Sequence, residues 1–209
     1  MHLHPPKALL FDLGGVLVDI DFSRALRSWA AHSKLPFDEL KRKYQFDLAY
    51  ECHERGEISA TEYFSIVAET LELSASPEQI EIGWNAIFMG EITTTRLLVE
   101  RVRQHIPCYA FTNTNASHMA TWSKLYPGVV SAFSKVYASH EIGLRKPDAA
   151  AFEYICRDTG IAPSEFLVFD DLLENVQAAS EAGLQGVLVR SPEDIAASLQ
   201  AFGIPTSAA

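Results

Sequence analysis

A short apolar run, Ala8-Leu9-Leu10-Phe11, stops at Asp12 and passes at once into Leu13-Gly14-Gly15-Val16. An uninterrupted apolar stretch bounded by glycines reads as a strand buried on both faces, the kind found in parallel sheets. The same grammar recurs downstream. Cys108 to Phe111 runs into Thr112-Asn113, a short apolar segment surrounds Val136, Phe166 to Phe169 runs into Asp170-Asp171, and Gly186 to Val189 closes the series. Between these runs the apolar period is helical, through Leu97, Leu98 and Val102, around Met119 and Trp122, from Asp148 to Asp158 before Gly160, and from Asn175 to Ala182 before Gly183. A last helix opens at Ser191-Pro192 and closes at Gly203. Strands alternating with helices imply an α/β fold with a doubly wound parallel sheet.

One stretch breaks the alternation. From Asp21 to about Phe88 the pattern is helical throughout, with no convincing strand between Asp21 and Thr93. Asp21 is the expected N-cap of a helix carrying Phe22, Ala25, Leu26 and Trp29, and Gly56 is expected to end another. Ser59-Ala60-Thr61-Glu62 and Ser76-Pro77-Glu78-Gln79 read as capping boxes. Residues 19–91 are therefore expected to form a small helical insertion, and residues 1–18 with 92–209 the sheet-bearing core.

Composition narrows the function. With 209 residues and 48% hydrophobic side chains the chain can bury a real core, and a formal net charge of −10 argues against binding nucleic acid. Cys52, Cys108 and Cys156 are too dispersed for a zinc set or redox pair. No apolar stretch is long enough for a signal peptide or membrane span, so a cytoplasmic protein is expected. His2 and His4 read as part of a frayed terminal segment rather than a metal site.

In a doubly wound sheet, ligands bind beyond the carboxyl ends of the strands, where Asp12, Thr112-Asn113 and Asp170-Asp171 are all expected, with Lys146-Pro147 before a helix start. An ionised carboxylate there can act as a nucleophile. If the ligand carries a phosphate, the three carboxylates and the dianion total about −5 against one lysine, and each like-charged pair ~4 Å apart costs roughly 4 kcal/mol at an effective dielectric of ~20. A hard divalent cation such as Mg²⁺, held by carboxylate and carbonyl oxygens, meets that requirement. Lys146, the Thr112 hydroxyl and the Asn113 backbone N–H can neutralise the phosphoryl oxygens. Each residue alone has a plainer role: Asp12 in a turn, Asp170-Asp171 and Asn115 as helix caps, Lys146 on the surface. It is their order that outweighs those roles.

Phe11-Asp12-Leu13-Gly14-Gly15-Val16, Thr112-Asn113, Lys146-Pro147 and Phe169-Asp170-Asp171 with Asn175 resemble, in order, the four motifs of the haloacid dehalogenase superfamily of phosphatases. The resemblance spans essentially the whole chain. Val18 to Arg24, His53-Glu54-Arg55-Gly56-Glu57-Ile58-Ser59, Gly83-Trp84 and Asn113-Thr114-Asn115 are similar more narrowly to the bacterial alpha-D-glucose-1-phosphate phosphatase branch and to the amino-terminal phosphatase domain of epoxide hydrolases. The resemblance implies an aspartyl-phosphate mechanism on a small phosphorylated metabolite such as alpha-D-glucose 1-phosphate. Asp12 would be the nucleophile, Mg²⁺ would sit on Asp12, the Gly14 carbonyl and Asp171, and Thr112, Asn113 and Lys146 would hold the phosphoryl group. Asp170 would support the metal or fix Lys146, and the helical insertion would be a cap.

One departure matters. The family's usual general acid lies two residues after the nucleophile, where this chain has Gly14, so poor leaving groups should depart slowly unless the cap donates a proton. His53 is the expected donor, and Arg24, Glu54 and Arg55 are the other cap candidates. Three other readings compete. A receiver domain has its acidic pair first rather than last and is set aside. A dehalogenase needs no metal and so leaves Asp170-Asp171 unexplained. A sugar-phosphate binder disabled at Gly14 would show no metal-dependent turnover.

Overall fold

Each apolar run becomes a strand because both of its faces find a helical layer to bury against. The computed structural model describes residues 5–206, and His2 and His4 lie outside them. In chain order the elements are β1 (Ala8–Phe11), β2 (Val18–Ile20), α1 (Ser23–Ala30), α2 (Phe37–Lys43), α3 (Leu48–Glu54), α4 (Ala60–Thr70), α5 (Pro77–Asn85), β3 (Phe88–Glu91), α6 (Thr93–Val102) and β4 (Cys108–Thr112). There follow α7 (Ala116–Leu125), α8 (Pro127–Ser131), β5 (Lys135–Ala138), α9 (Ser139–Ile142), α10 (Ala149–Thr159), β6 (Phe166–Asp170), α11 (Leu173–Glu181), β7 (Gln185–Leu188) and α12 (Pro192–Ala201).

Five strands form one parallel sheet in the order β5-β4-β1-β6-β7. The chain winds outward from β1 through β4 to β5, then crosses back to β6 on the other side of β1. That reversal opens a crevice at the carboxyl ends of β1 and β6. Side chains alternate across the sheet: Leu9 and Phe11 enter one apolar layer with Leu98, Val102 and Leu199, while Ala8 and Leu10 enter the other with Phe152, Ile155 and Ala179. The rings of Phe11 and Phe169 stack at 4.8 Å across the β1–β6 seam.

The helical block from α1 to α5 has a third apolar cluster of its own, built on Leu26, Trp29, Tyr50, Tyr63, Phe64 and Trp84. Both expected capping boxes form, Ser59 with Glu62 and Ser76 with Gln79. The expected N-cap Asp21 lies one residue before the N-cap position, which Phe22 occupies. The Asp21 carboxylate accepts from the Ser23 amide and hydroxyl at 2.8 Å each.

The expectation of no strand between Asp21 and Thr93 is corrected by β3, which pairs antiparallel with β2. Local period conceals this ribbon because what stabilises it is the proximity of two chain crossings between core and helical block, where Val18 lies opposite Glu91 and Ile20 opposite Phe88. Its register, Val18 to Glu91, ties the exit and re-entry of the block together. The three cysteines are free thiols, and among the described residues no helix is long and apolar enough to cross a membrane.

Candidate active site

Three strand ends converge on one cavity of about 570 Å³, whose wall includes Asp12, Gly14, Thr112, Asn113, Lys146 and Asp171. Asp12 follows β1, its amide donating to the Phe169 carbonyl at 2.8 Å, which carries the β1–β6 pairing one residue past the strand. Lys146 comes from the loop before α10 and is almost fully buried. Its Nζ lies 2.9 Å from Asp12 Oδ1, 2.6 Å from Asp170 Oδ2 and 5.3 Å from the centre of the Phe111 ring.

The backbone that presents Lys146 is itself pinned. The Asn113 carboxamide accepts from the Lys146 amide and donates to the Lys146 carbonyl, both at 2.8 Å. Asn113 thus spends its side chain on the lysine's backbone. The next residue is braced as well, since the Thr114 amide donates to Ser139 Oγ at 2.8 Å.

Charge in the cluster is unbalanced, with three carboxylates around one ammonium. Burial pushes the Asp12 carboxyl up to about 7, with Asp170 and Asp171 adding to the rise and Lys146 opposing it. Burial and then Asp170 also raise Asp171. Burial works against the charge on Lys146, but Asp12 and Asp170 outweigh it and hold the ammonium protonated. Oxygen atoms of Asp12, Asp170 and Asp171 lie within 4.8 Å of one another. Hard oxygen donors carrying excess negative charge fit a divalent cation such as Mg²⁺. Asp170 is the least free of the three. Lys146 takes one of its oxygens, and the Leu172 amide and the Asn175 carboxamide donate to the other at 2.9 Å each. Asp12 and Asp171 are better placed as ligands, while Asp170 orients the lysine.

The two glycines after Asp12 have different constraints. Gly15 has φ near +70°, and a Cβ there would lie 2.3 Å from Asp171 Oδ2, so the turn needs glycine to bring this carboxylate beside Asp12. Gly14 has no such backbone requirement. A Cβ there would meet only the end of the Ile20 side chain, 3.0 Å away at Cδ1.

Of the four cap candidates, only Glu54 reaches the cavity wall. It is buried, and its carboxylate accepts from Arg145 Nε at 2.9 Å. Arg24 instead donates to the Ala86 carbonyl, and Arg55 pairs with Glu57 and Glu51. His53, the expected proton donor, stacks on Tyr63 inside the helical block, ring centres 4.6 Å apart, and does not line the cavity. Burial lowers its pKa and favours the neutral ring. The apolar spacing that builds α3 and α4 turns this histidine inward.

Sequence reasoning missed Arg145, Phe46, Tyr50, Glu51 and His118, all of which line the wall. Arg145 adjoins Lys146-Pro147, and Glu51 and Glu54 are one turn apart on α3, so proximity to a motif and helical spacing were the available signals. His118 carried none. Its Nε2–H donates to the Trp84 carbonyl at 3.1 Å, its Nδ1 accepts from Asn115 at 3.1 Å, and its ring stacks on Trp84.

Residues 6–183 match the family model described as haloacid dehalogenase-like hydrolase. Among curated proteins, the chain is 26% identical over 185 residues to the D-ribitol-5-phosphate phosphatase of Bacteroides thetaiotaomicron, covering 86% of this chain and 89% of that one. It is 28% identical over 192 residues to a phosphatase of Mycobacterium tuberculosis, covering 88% and 87%. Among solved structures, a haloacid dehalogenase family enzyme of Bacteroides thetaiotaomicron in complex with magnesium and inorganic phosphate superposes with a TM-score of 0.76 at 28% identity, covering 88% of this chain and 94% of that one.

Proposed function

This chain belongs to the haloacid dehalogenase-like hydrolases, and on that footing we propose that it is a Mg²⁺-dependent phosphatase acting through an aspartyl-phosphate on a small phosphorylated metabolite. The observation that carries the proposal is Lys146, wedged between Asp12 and Asp170 at the switch point of the sheet, with Asp171 beside them. The relatives named as phosphatases, and a structural neighbour solved with magnesium and phosphate, support the same reading.

An Asp12 oxygen attacks phosphorus, the bond to the leaving oxygen breaks, and the electron pair departs with that oxygen. Lys146, the Thr112 hydroxyl and the Asn113 N–H hold the phosphoryl oxygens as charge shifts among them. A water oxygen then attacks phosphorus and releases phosphate and the Asp12 carboxylate. Mg²⁺ held by Asp12, the Gly14 carbonyl and Asp171 would supply the positive charge that keeps Asp12 ionised and admits a dianion. Asp170 positions Lys146, and Asn113 fixes the lysine's backbone.

Residues 19–91 act in this proposal as a cap that excludes water and contacts the leaving group, and residues 1–18 with 92–209 as the catalytic core. Substrate identity is the finer part of the proposal. The motif resemblance favours alpha-D-glucose 1-phosphate, whereas the Bacteroides relative is named for D-ribitol 5-phosphate.

The test is phosphate release from both compounds and from phenyl phosphate, with Mg²⁺ and with chelator. Turnover that vanishes in chelator and returns with Mg²⁺ is expected. Full activity in chelator would remove the Mg²⁺ requirement, and none under any condition would favour a binding protein.

A further inference from the structure

The wall of the same cavity also carries the apolar side chains of Ile20, Phe22, Phe46, Tyr50, Phe88 and Leu172. Phe46 and Leu172 are about half exposed. Such side chains beside a cavity gain free energy when a ligand's apolar surface covers them.

Arg145, Glu51, Glu54 and His118 in the same wall are already engaged, and Glu174 is exposed to solvent. Arg145 holds Glu54 at 2.9 Å and Glu51 at 3.3 Å, and both ring nitrogens of His118 have partners within the protein. A polyol entering here would lose water from its hydroxyls and find few free partners, a costly exchange. A second anion would be worse placed. Glu51, Glu54 and Glu174 line the wall, and its two cations, Lys146 and Arg145, are ion-paired.

Position 14 supplies an independent constraint. Ile20 Cδ1 stands 3.0 Å from where a side chain at Gly14 would begin, so an apolar group borders the place where the family's usual proton donor would start. His53 does not reach the cavity, and Glu54 is committed to Arg145. A leaving oxygen therefore finds no donor at position 14 or from His53, and the acids of the helical block in the wall, Glu51 and Glu54, are both ion-paired with Arg145. A phenol, with a pKa of about 10, departs unprotonated far more readily than an aliphatic alcohol.

We infer that the substrate is an aryl phosphate: one phosphate on a phenolic oxygen, with the ring against Phe22, Phe46 and Tyr50 and no second anionic group. The inference rests on the phosphatase reading and names its leaving group.

Because aryl phosphates are intrinsically reactive, the test separates binding from bond breaking. kcat and KM are measured with Mg²⁺ for phenyl phosphate, benzyl phosphate, D-ribitol 5-phosphate and alpha-D-glucose 1-phosphate, and inhibition constants for benzylphosphonate and methylphosphonate. The expected results are that benzylphosphonate binds about tenfold more tightly than methylphosphonate, and that phenyl phosphate exceeds both sugar-type substrates in kcat/KM by about a hundredfold. Benzyl phosphate should match phenyl phosphate in KM but fall behind in kcat. Phe46→Ala and Leu172→Ala, at exposed positions that do not threaten folding, should bring the two phosphonates to within about threefold. Equal inhibition by the two phosphonates in the unmodified protein, or a sugar-type phosphate that matches phenyl phosphate in kcat/KM, would overturn the inference while leaving the phosphatase reading intact. Absence of phosphate release from every substrate would remove that reading and the inference with it.

Discussion

The strand tips of the core and the cap wall opposite them hold charge in contrasting ways. At the tips, Asp12, Asp170 and Asp171 surround one lysine, and burial, with Asp170 and Asp171 adding to it against Lys146, leaves Asp12 raised to about 7. In the wall facing the helical block, Glu54 and Glu51 pair with Arg145 from the loop before α10, and His118 on α7 is neutral and fully hydrogen-bonded. One surface is left short of positive charge, and in the other the buried carboxylate of Glu54 has its partner. The difference teaches where ligand chemistry belongs: an unbalanced cluster calls for a cation and a phosphate, whereas a satisfied wall offers mostly apolar surface.

The strongest way to break the contrast is to remove a charge from the unbalanced side. Asp12→Asn deletes the proposed nucleophile while Lys146 keeps Asp170, so kcat should fall by about 10³-fold or more while the fold persists. Activity near the unmodified level, alongside an unchanged melting curve, would rule out the covalent mechanism.

The satisfied side should respond in stability. Arg145→Met strands Glu54, buried and without its ion-pair partner, and should cost about 3 kcal/mol in urea unfolding. Glu54→Gln should cost less, because Arg145 retains Glu51. If the double variant loses as much as the two single changes summed, the pair is not coupled and the contrast weakens.

A smaller effect separates the two glycines. Gly15→Ala forces a side chain against Asp171 at a left-handed backbone position and should raise the Mg²⁺ concentration needed for half-activation by about tenfold. Gly14→Ala meets only the flexible end of Ile20 and should change it by no more than about threefold. Gly14→Asp should then favour alkyl over aryl phosphates by restoring a proton donor. Uniform loss on both classes would sink the missing-acid account.

A last effect, read in stability rather than activity, is a pH dependence of the seam between the helical block and α7. Burial holds His118 at about 3, below its ordinary value of 6.5, so it is neutral when folded and protonates first in the unfolded chain. Its contribution is complete above about pH 6.5 and is lost as pH falls toward 3, by up to about 1.4 kcal/mol per unit. Comparing unfolding free energies of the parent and His118→Gln between pH 7 and pH 5 reads this directly. Parallel curves would count against it.

The core was legible because its signals are local. Cys108–Thr112 and Phe166–Asp170 are strands whose polar ends follow directly from apolar runs, and the two capping boxes need only a serine and a partner three residues on. The β2–β3 ribbon was not legible, since neither segment shows a period that announces its partner. His53 misled for a related reason: its motif context pointed to chemistry, while the packing of α3 on α4 turned it into the cluster with Tyr63 and Trp84.

By itself the sequence determined the order of the strand tips and hence the acids, lysine, threonine and asparagine that meet there. Periodicity dictates strands and helices, and a doubly wound parallel sheet delivers its strand ends to one crevice. Only the tertiary structure decided which further side chains, in the helical block and in the loop before α10, face that crevice. It brought Arg145 to Glu54, placed Ile20 beside Gly14, and turned Phe46 and Tyr50 to the cavity rather than His53 or Arg55. Those choices depend on how the helical block packs on itself and sits on the core, and contacts between segments far apart in the chain leave no periodic trace in either one.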